Sequence, residues 1–300
     1  MTNSKTDYMG PLRNILLATD GSAYSEGAIK EALYLAKACD SRLAVIYILE
    51  VNPEFETEGL KFVEKMELDA REHLERVKKD AAKENVELEV IVRRTDEPYK
   101  AIVEEAEKRG TDVIVMGRRG RTGLKKILMG SVTTKVIGHS PCNILIVPKD
   151  AGISCKKILI ATDGSKYSSA AASKAIDIAR RCGSDLTVLA VVPLELSAGI
   201  DPDTGYSQTQ LEHIAKEAFA ATEKGLQEVK TMAEKEGIKA EGTILGGRPH
   251  EAIVETTIRK KIDLVVVGSH GRTGLKKLFL GSVAERVVGL SPSAVLVVKV

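Results

Sequence analysis

The feature that most constrains this chain is that it is one unit written twice. Leu16-Leu17-Ala18-Thr19-Asp20-Gly21-Ser22 returns as Leu159-Ile160-Ala161-Thr162-Asp163-Gly164-Ser165, 143 positions further on. A longer block, GRRGRTGLKKILMGSV from Gly117 to Val132, returns as GSHGRTGLKKLFLGSV from Gly268 to Val283, 151 positions further on, with eleven of sixteen residues identical. Ser140-Pro141 and Ser291-Pro292 keep the second offset. A period this long is a tandem domain duplication and not a solenoid. The 300 residues therefore divide into 1–150 and 151–300, joined by the short polar stretch from Pro148 to Ser154. The offset grows between the blocks, so the second copy has a longer middle segment, expected near Leu194 to Ser207.

Within each copy, short apolar runs alternate with amphipathic stretches. Asn14–Thr19, Leu43–Leu49, Leu88–Val92, Val113–Met116 and Asn143–Val147 read as strands. Between them lie helical patterns after Ser22 and Ser25, over 60–84, around Ala101–Ala106 and from Ser131. The second copy keeps that order from Ile158 to Val298. Short apolar strands separated by helices predict an α/β fold, a parallel sheet covered on both faces. Right-handed crossovers make it doubly wound, with ligands outside the carboxyl ends of the strands.

Composition narrows the function classes. With 43% hydrophobic and 29% charged residues, the chain is that of an ordinary globular protein. A formal net charge of +2 gives no argument for nucleic acid or a membrane surface as partner. No apolar run approaches the roughly 18 residues that span a bilayer, and the first residues have no signal-like apolar core. Cys39, Cys142, Cys155 and Cys182 form no CxxC pair or zinc-type spacing, which fits a reduced cytoplasm. Cys39 and Cys182 each close a helical stretch and read as small buried apolar residues.

Chemistry concentrates after two strands of each copy. Gly117-x-x-Gly120, nine residues, then Gly130-Ser131 recurs as Gly268-x-x-Gly271, nine residues, then Gly281-Ser282. Gly117 and Gly268 end a buried strand, where a missing Cβ lets the backbone turn sharply and approach a ligand. Gly130-Ser131 and Gly281-Ser282 open a helix, whose free amides and roughly half a positive charge attract phosphate. Ser131 and Ser282 can cap that helix or turn their hydroxyls toward a phosphate oxygen. Loop amides alternating with glycine can form an anion nest. The repeated Arg121 to Lys126 and Arg272 to Lys277 could assist the phosphates or be solvated loop. Arg118-Arg119 becomes Ser269-His270, so those side chains cannot be essential in both sites, and nothing repeats His270 as a metal ligand or base. Asp20 and its twin Asp163 directly follow the first strand. Each could bind ribose hydroxyls, hold a Mg²⁺ bridging phosphates, or cap the next helix.

These residues resemble the universal stress protein family: ATDGS after the first strand, G-2x-G-9x-G-S after the fourth, and S-P before a terminal strand. The resemblance covers nearly the whole chain, twice, and the full glycine pattern marks the family's ATP-binding branch. It implies a Rossmann-like, adenine nucleotide alpha hydrolase-like fold, two tandem five-stranded parallel sheets of order 3-2-1-4-5. It also implies where ATP, ADP or AMP would lie. Adenine is expected near Ala18, Thr19 and Ile48 with Met116 beside it, and Asp20 near ribose or Mg²⁺. Gly117, Gly120, Gly130, Ser131 and Val132 would hold ribose and phosphates. The matching positions of the second copy are Ala161, Thr162, Asp163, Val191, Val267, Gly268, Gly271, Gly281, Ser282 and Val283.

Three functions are compatible with this: a nucleotide-dependent regulatory module of the stress response, a slow ATPase or self-phosphorylating protein, and a scaffold with a structural nucleotide. The first is favoured. There is no G-x-x-x-x-G-K-[ST], hence no P-loop lysine for the transferred phosphate. No repeated His or Glu stands beside the glycines as a base, and nothing evident activates Ser131 or Ser282. The last strands, Asn143–Val147 and Val295–Val298, would be sheet edges. The resemblance implies that they pair the two copies into an intrachain pseudo-dimer, with homodimers a further option.

Overall fold

The computed structural model describes residues 12–51, 60–120, 129–152, 154–193, 208–271 and 280–300. Two stretches of functional interest in the sequence, the basic loops and the longer middle segment of the second copy, lie outside them. The chain forms two compact units, divided between residues 153 and 154.

In the first unit the order is β1 (Asn14–Thr19), α1 (Glu26–Cys39), β2 (Arg42–Glu50), α2 (Leu60–Lys83), β3 (Leu88–Thr95), α3 (Pro98–Lys108), β4 (Val113–Gly117), α4 (Ser131–His139) and β5 (Asn143–Val147). The second runs β6 (Lys157–Thr162), α5 (Lys166–Cys182), β7 (Asp185–Pro193), α6 (Gln208–Lys235), β8 (Ala240–Gly247), α7 (Pro249–Lys260), β9 (Leu264–Gly268), α8 (Ser282–Leu290) and β10 (Ala294–Val298). The strands line up as β3-β2-β1-β4-β5 and as β8-β7-β6-β9-β10, the expected 3-2-1-4-5 order in each. Neighbours such as Ala18 and Met116, or Ile160 and Val266, pair in parallel.

The apolar runs become strands because both of their faces are covered. Leu16, Leu17, Val115, Ile144 and Leu145 are wholly buried, as are Leu159, Val265 and Leu296. Each such side chain taken out of water contributes about 1.5–3 kcal/mol. A chain moving from β1 to β3 through right-handed crossovers lays α1 and α2 on one face. Reversing direction to reach β4 and β5 puts α3 and α4 on the other. On α2 the stripe Ala70, Leu74, Val77 and Ala81 is buried while its charged face meets water.

Local chemistry sets where helices begin and end. Pro98 and Pro249 stand in the first turns of α3 and α7, where a missing N–H costs nothing. Helix α5 is capped by Ser165, whose hydroxyl accepts from the Ser168 amide at 3.2 Å. The twin helix α1 starts three positions later in register, after Ser25, without a side-chain cap. Cys39 and Cys182 end their helices as expected but are half-buried rather than enclosed; Cys155 is the buried one.

Candidate functional site

The order of strands reverses between β1 and β4, and again between β6 and β9. A crevice opens at such a switch point, outside the carboxyl ends of the two strands. Thr19 ends β1 and Gly117 ends β4, so the two motifs singled out from the sequence converge there.

The loop after β1 is tightly specified. Gly21 has φ +76°, and so does Gly164, a left-handed conformation that side chains resist. Asp20 Oδ1 accepts from the Ser22 amide at 3.0 Å, and Asp163 Oδ1 from the Ser165 amide at 3.0 Å. The second oxygen of each carboxylate faces the glycine loop. A Cβ on Gly120 would stand 2.8 Å from Asp20 Oδ2, and one on Gly271 would stand 2.9 Å from Asp163 Oδ2. Neither aspartate caps the following helix; each fastens its own turn and touches the loop across the crevice.

Gly117 and Gly268 also answer to a constraint within the fold. A Cβ on Gly117 would lie 2.7 Å from the carbonyl oxygen of Tyr24, and one on Gly268 would lie 2.8 Å from that of Tyr167. These glycines let the strand end pack against the turn before α1 or inside α5, and the space their Cβ would need is already full. The loops close at their far ends through Gly130 N donating to Arg118 O at 3.0 Å and Gly281 N to Ser269 O at 2.9 Å.

The serines are not caps. Gly130 and Gly281 occupy the N-cap positions in extended backbone, and Ser131 and Ser282 are the first helical residues. The first three amides of α4 and α8 have no carbonyl of their own helix to donate to. Ser131 and Ser282 are exposed at this end, Val132 is half-buried and Val283 is 36% exposed. Gly130 O accepts from the Thr134 amide, while Thr133 Oγ1 donates to Gly117 O at 3.2 Å and ties α4 to the end of β4.

The proposed adenine side is apolar. Ala18 and Met116 are paired neighbours on β1 and β4, 7% and 5% exposed. Ile48 lies one residue beyond Tyr47, the partner of Thr19, so it projects past the end of β1. Val191 holds the same place beyond Ala190, the partner of Thr162, and Val267 is buried. The Thr19 and Thr162 hydroxyls are engaged inside the protein. Thr162 Oγ1 lies 3.2 Å from Ser168 Oγ, and each threonine accepts from the glycine amide two residues on.

One buried residue escaped the sequence reading. His73, on α2, is 3% exposed, with Nε2 3.0 Å from Thr19 Oγ1. Ser25 Oγ donates to Ser22 O at 2.8 Å, so it must accept from Thr19 Oγ1 at 3.0 Å. Thr19 has then spent its hydrogen and accepts from His73, which places the proton on Nε2. Nδ1 is left as an acceptor facing Arg76 Nη2 at 3.5 Å. Burial lowers the His73 pKa, Arg76 lowers it further, and Glu26 and Asp20 oppose them. The signal for it was a single histidine on the apolar stripe of α2. In the second unit Gly225 contacts the corresponding loop directly, its Cβ position 3.2 Å from Gly164 Cα.

The donor set suits a nucleotide on chemical grounds: the first amides of α4 and α8 have no helical acceptor, Gly130 and Gly281 stand at those helix starts, and buried Ala18 and Met116 lie at the strand ends. For Mg²⁺ each site offers one carboxylate. Among the described residues no group of three or more His, Cys, Asp or Glu side chains could hold a metal, so phosphate and water would supply its other ligands.

Comparison with known proteins agrees with this architecture. The profile of the Universal stress protein family matches residues 11–148 and again 154–299. A universal stress protein of Methanocaldococcus jannaschii is 42% identical over 144 residues, 48% of this chain and 82% of that one. One from Mycolicibacterium smegmatis is 28% identical over 312 aligned positions, covering 100% of this chain and 99% of its own. The crystal structure of a universal stress protein from Archaeoglobus fulgidus superimposes with a TM-score of 0.69 at 24% identity, covering 99% of both chains.

Proposed function

The chain belongs to the universal stress protein family, and from that premise we propose that each half binds one adenine nucleotide and that the bound nucleotide sets the protein's regulatory state. The observation that carries this reading is a convergence repeated in both units. An aspartate after the first strand lies so close to the glycine loop that a Cβ on Gly120 or Gly271 would stand 2.8 Å or 2.9 Å from its carboxylate, beside a helix N-terminus whose first amides have no helical acceptor.

Adenine would rest on Ala18, Ile48 and Met116, and on Ala161, Val191 and Val267. The Thr19 and Thr162 backbones would border it. Asp20 and Asp163 would take ribose hydroxyls or one position on a phosphate-bound Mg²⁺, which would neutralise phosphate charge. The amides of Ser131 and Val132, and of Ser282 and Val283, would receive phosphate oxygens, assisted by the serine hydroxyls. The helix dipole favours an anion there without any lysine.

Calorimetric titration of ligand-stripped full-length protein with ATP tests the reading. Two equivalents of uptake are expected. No uptake at millimolar ATP overturns it. Turnover in a hydrolysis assay is expected below about 1 s⁻¹, near the floor for ordinary enzymes; a faster rate would make the protein an enzyme instead of a regulatory binder.

A further inference from the structure

Building on the nucleotide-binding reading above, we propose that the two sites select for phosphate charge: the first takes a nucleoside di- or triphosphate, and the second accepts a monophosphate nearly as well. The specificity-determining residues are Arg118 and Arg119 in the first loop, against Ser269 and His270 in the second.

The basic stretch RTGLKK that follows is identical in the two loops, so its sequence does not distinguish them. The difference falls on the two residues between the glycines. In the first unit both are arginines and both are half-buried. Burial and the neighbouring Arg119 guanidinium make the charge on Arg118 harder to hold. Arg119 Cα lies 3.6 Å from the Cβ position of Gly130, against the start of α4. Its Nε is shielded from water with no hydrogen-bond partner. A shielded N–H without an acceptor costs free energy until one arrives. Beside a helix N-terminus, a phosphate oxygen is the acceptor whose shape and charge suit a guanidinium.

In the second unit the same place holds no arginine. His270 Cα stands 3.2 Å from the Cβ position of Gly281, but its Nδ1 lies 3.0 Å from the hydroxyl of buried Ser269. Its ring is 5.0 Å from that of Tyr167. Nε2 is shielded without a partner, so this site offers one imidazole nitrogen where the first offers a guanidinium. Glu285 also stands in the first turn of α8 where α4 has Thr134, and a carboxylate there opposes added phosphate charge. Two smaller differences run the other way. Lys166 replaces Ala23, but its exposed ammonium sits 5.0 Å over the Tyr167 ring. Glu26 replaces Ser169, and its field reaches His73 on the α2 side.

Calorimetry of the full-length protein with ATP and with AMP reads the ratio of their affinities at each site, using Gly281→Val to silence the second and Gly130→Val to silence the first. The preference for ATP at the first site is expected to exceed that at the second by about tenfold or more, the scale of one strong charge-assisted contact. Exchanging Arg118→Ser with Arg119→His should bring the first site's ratio down to the second's while moving AMP affinity much less. The reciprocal Ser269→Arg with His270→Arg should raise the ratio at the second site, and serves if the first pair fails to fold. Equal ratios at the two native sites, or a ratio that survives the exchange, overturn the inference while leaving nucleotide binding intact. Failure of both sites to bind either nucleotide overturns the reading beneath it as well.

Discussion

Gly117 and Gly130 stand at the two ends of one loop but answer to different constraints. A Cβ on Gly117 would sit 2.7 Å from a backbone oxygen that cannot swing aside, whereas the nearest atom to one on Gly130 is Thr133 Oγ1 at 3.5 Å, an ordinary contact. Gly117→Ala is therefore expected to destabilise the first unit by about 1–3 kcal/mol through overpacking. Gly130, in extended backbone with φ −65°, has a conformation alanine adopts freely. Gly130→Ala should leave the ligand-free protein unchanged or stabilise it by about 0.4–1 kcal/mol, while weakening ATP. Urea unfolding with and without ATP reads both quantities; equal loss of stability in the two variants would contradict the division. The doubled spacing made these glycines visible in the sequence. It could not separate their purposes, because the tyrosine backbone that fills the space beside Gly117 comes from a loop nearly a hundred residues earlier. Nor could it tell Ser131 the cap from Ser131 the first helical residue, since extended and helical backbone at a serine leave no trace in spacing.

At the scale of elements, strands and helices were legible because burial on both sheet faces demands unbroken apolar runs such as Ile114–Met116 and Ile144–Val147. The strand order followed from resemblance, since periodicity carries no information about which strand lies beside which. What stayed hidden is how α2 and α6 meet the loop after the first strand. Helix α2 does so through His73, by a directed chain of hydrogen bonds to Thr19, Ser25 and the Ser22 carbonyl. Helix α6 does so by bare contact of Gly225 with Gly164. His73→Ala is expected to cost about 1–3 kcal/mol, because it empties a buried site and removes the shorter of the two hydrogen bonds that Thr19 Oγ1 accepts. His73→Gln, which can donate from its amide, should recover part of that in thermal unfolding. The reverse change, Gly225→His, should destabilise the second unit, as its Cβ would press on the Gly164 backbone at 3.2 Å. A harmless Gly225→His would show that α6 yields more easily than its packing implies.

Over the whole molecule, duplication leaves two units with one fold and different buried ionisable groups. His73 has a lowered pKa in the native state, so the stability it contributes is present above its ordinary value of 6.5 and is lost as pH falls through the range below. Glu105 adds a second acid-sensitive group. It is 2% exposed, and burial alone would raise its pKa, but Arg93 at 3.0 Å and Arg109 at 2.6 Å outweigh that and hold it below 4.5. Its contribution is present above 4.5 and is lost as the carboxylate takes up a proton. The second unit has neither group. Gly225 replaces the histidine, and Thr256, 1% exposed, occupies the place of Glu105. The flanking pair is kept, with Lys260 to Glu241 at 2.6 Å answering Arg109 to Glu89 at 2.5 Å, both with strongly exposed glutamates that water screens. Asp177, also below its usual range through Arg181 and Arg180 against the pull of burial, sits at a part-exposed surface where that contribution is weaker. Acidification should therefore loosen the first unit before the second. Hydrogen exchange followed by mass spectrometry from pH 7.5 to 4, corrected for the intrinsic rate, should show peptides around Ala70–Val77 and Ile102–Ala106 losing protection ahead of those around Thr222–Val229 and Ile253–Thr257. His73→Gln should remove the earlier part of that loss and Glu105→Gln the later part. Simultaneous loss in both units, unaltered by either variant, would show that the acid response lies in groups the two copies share.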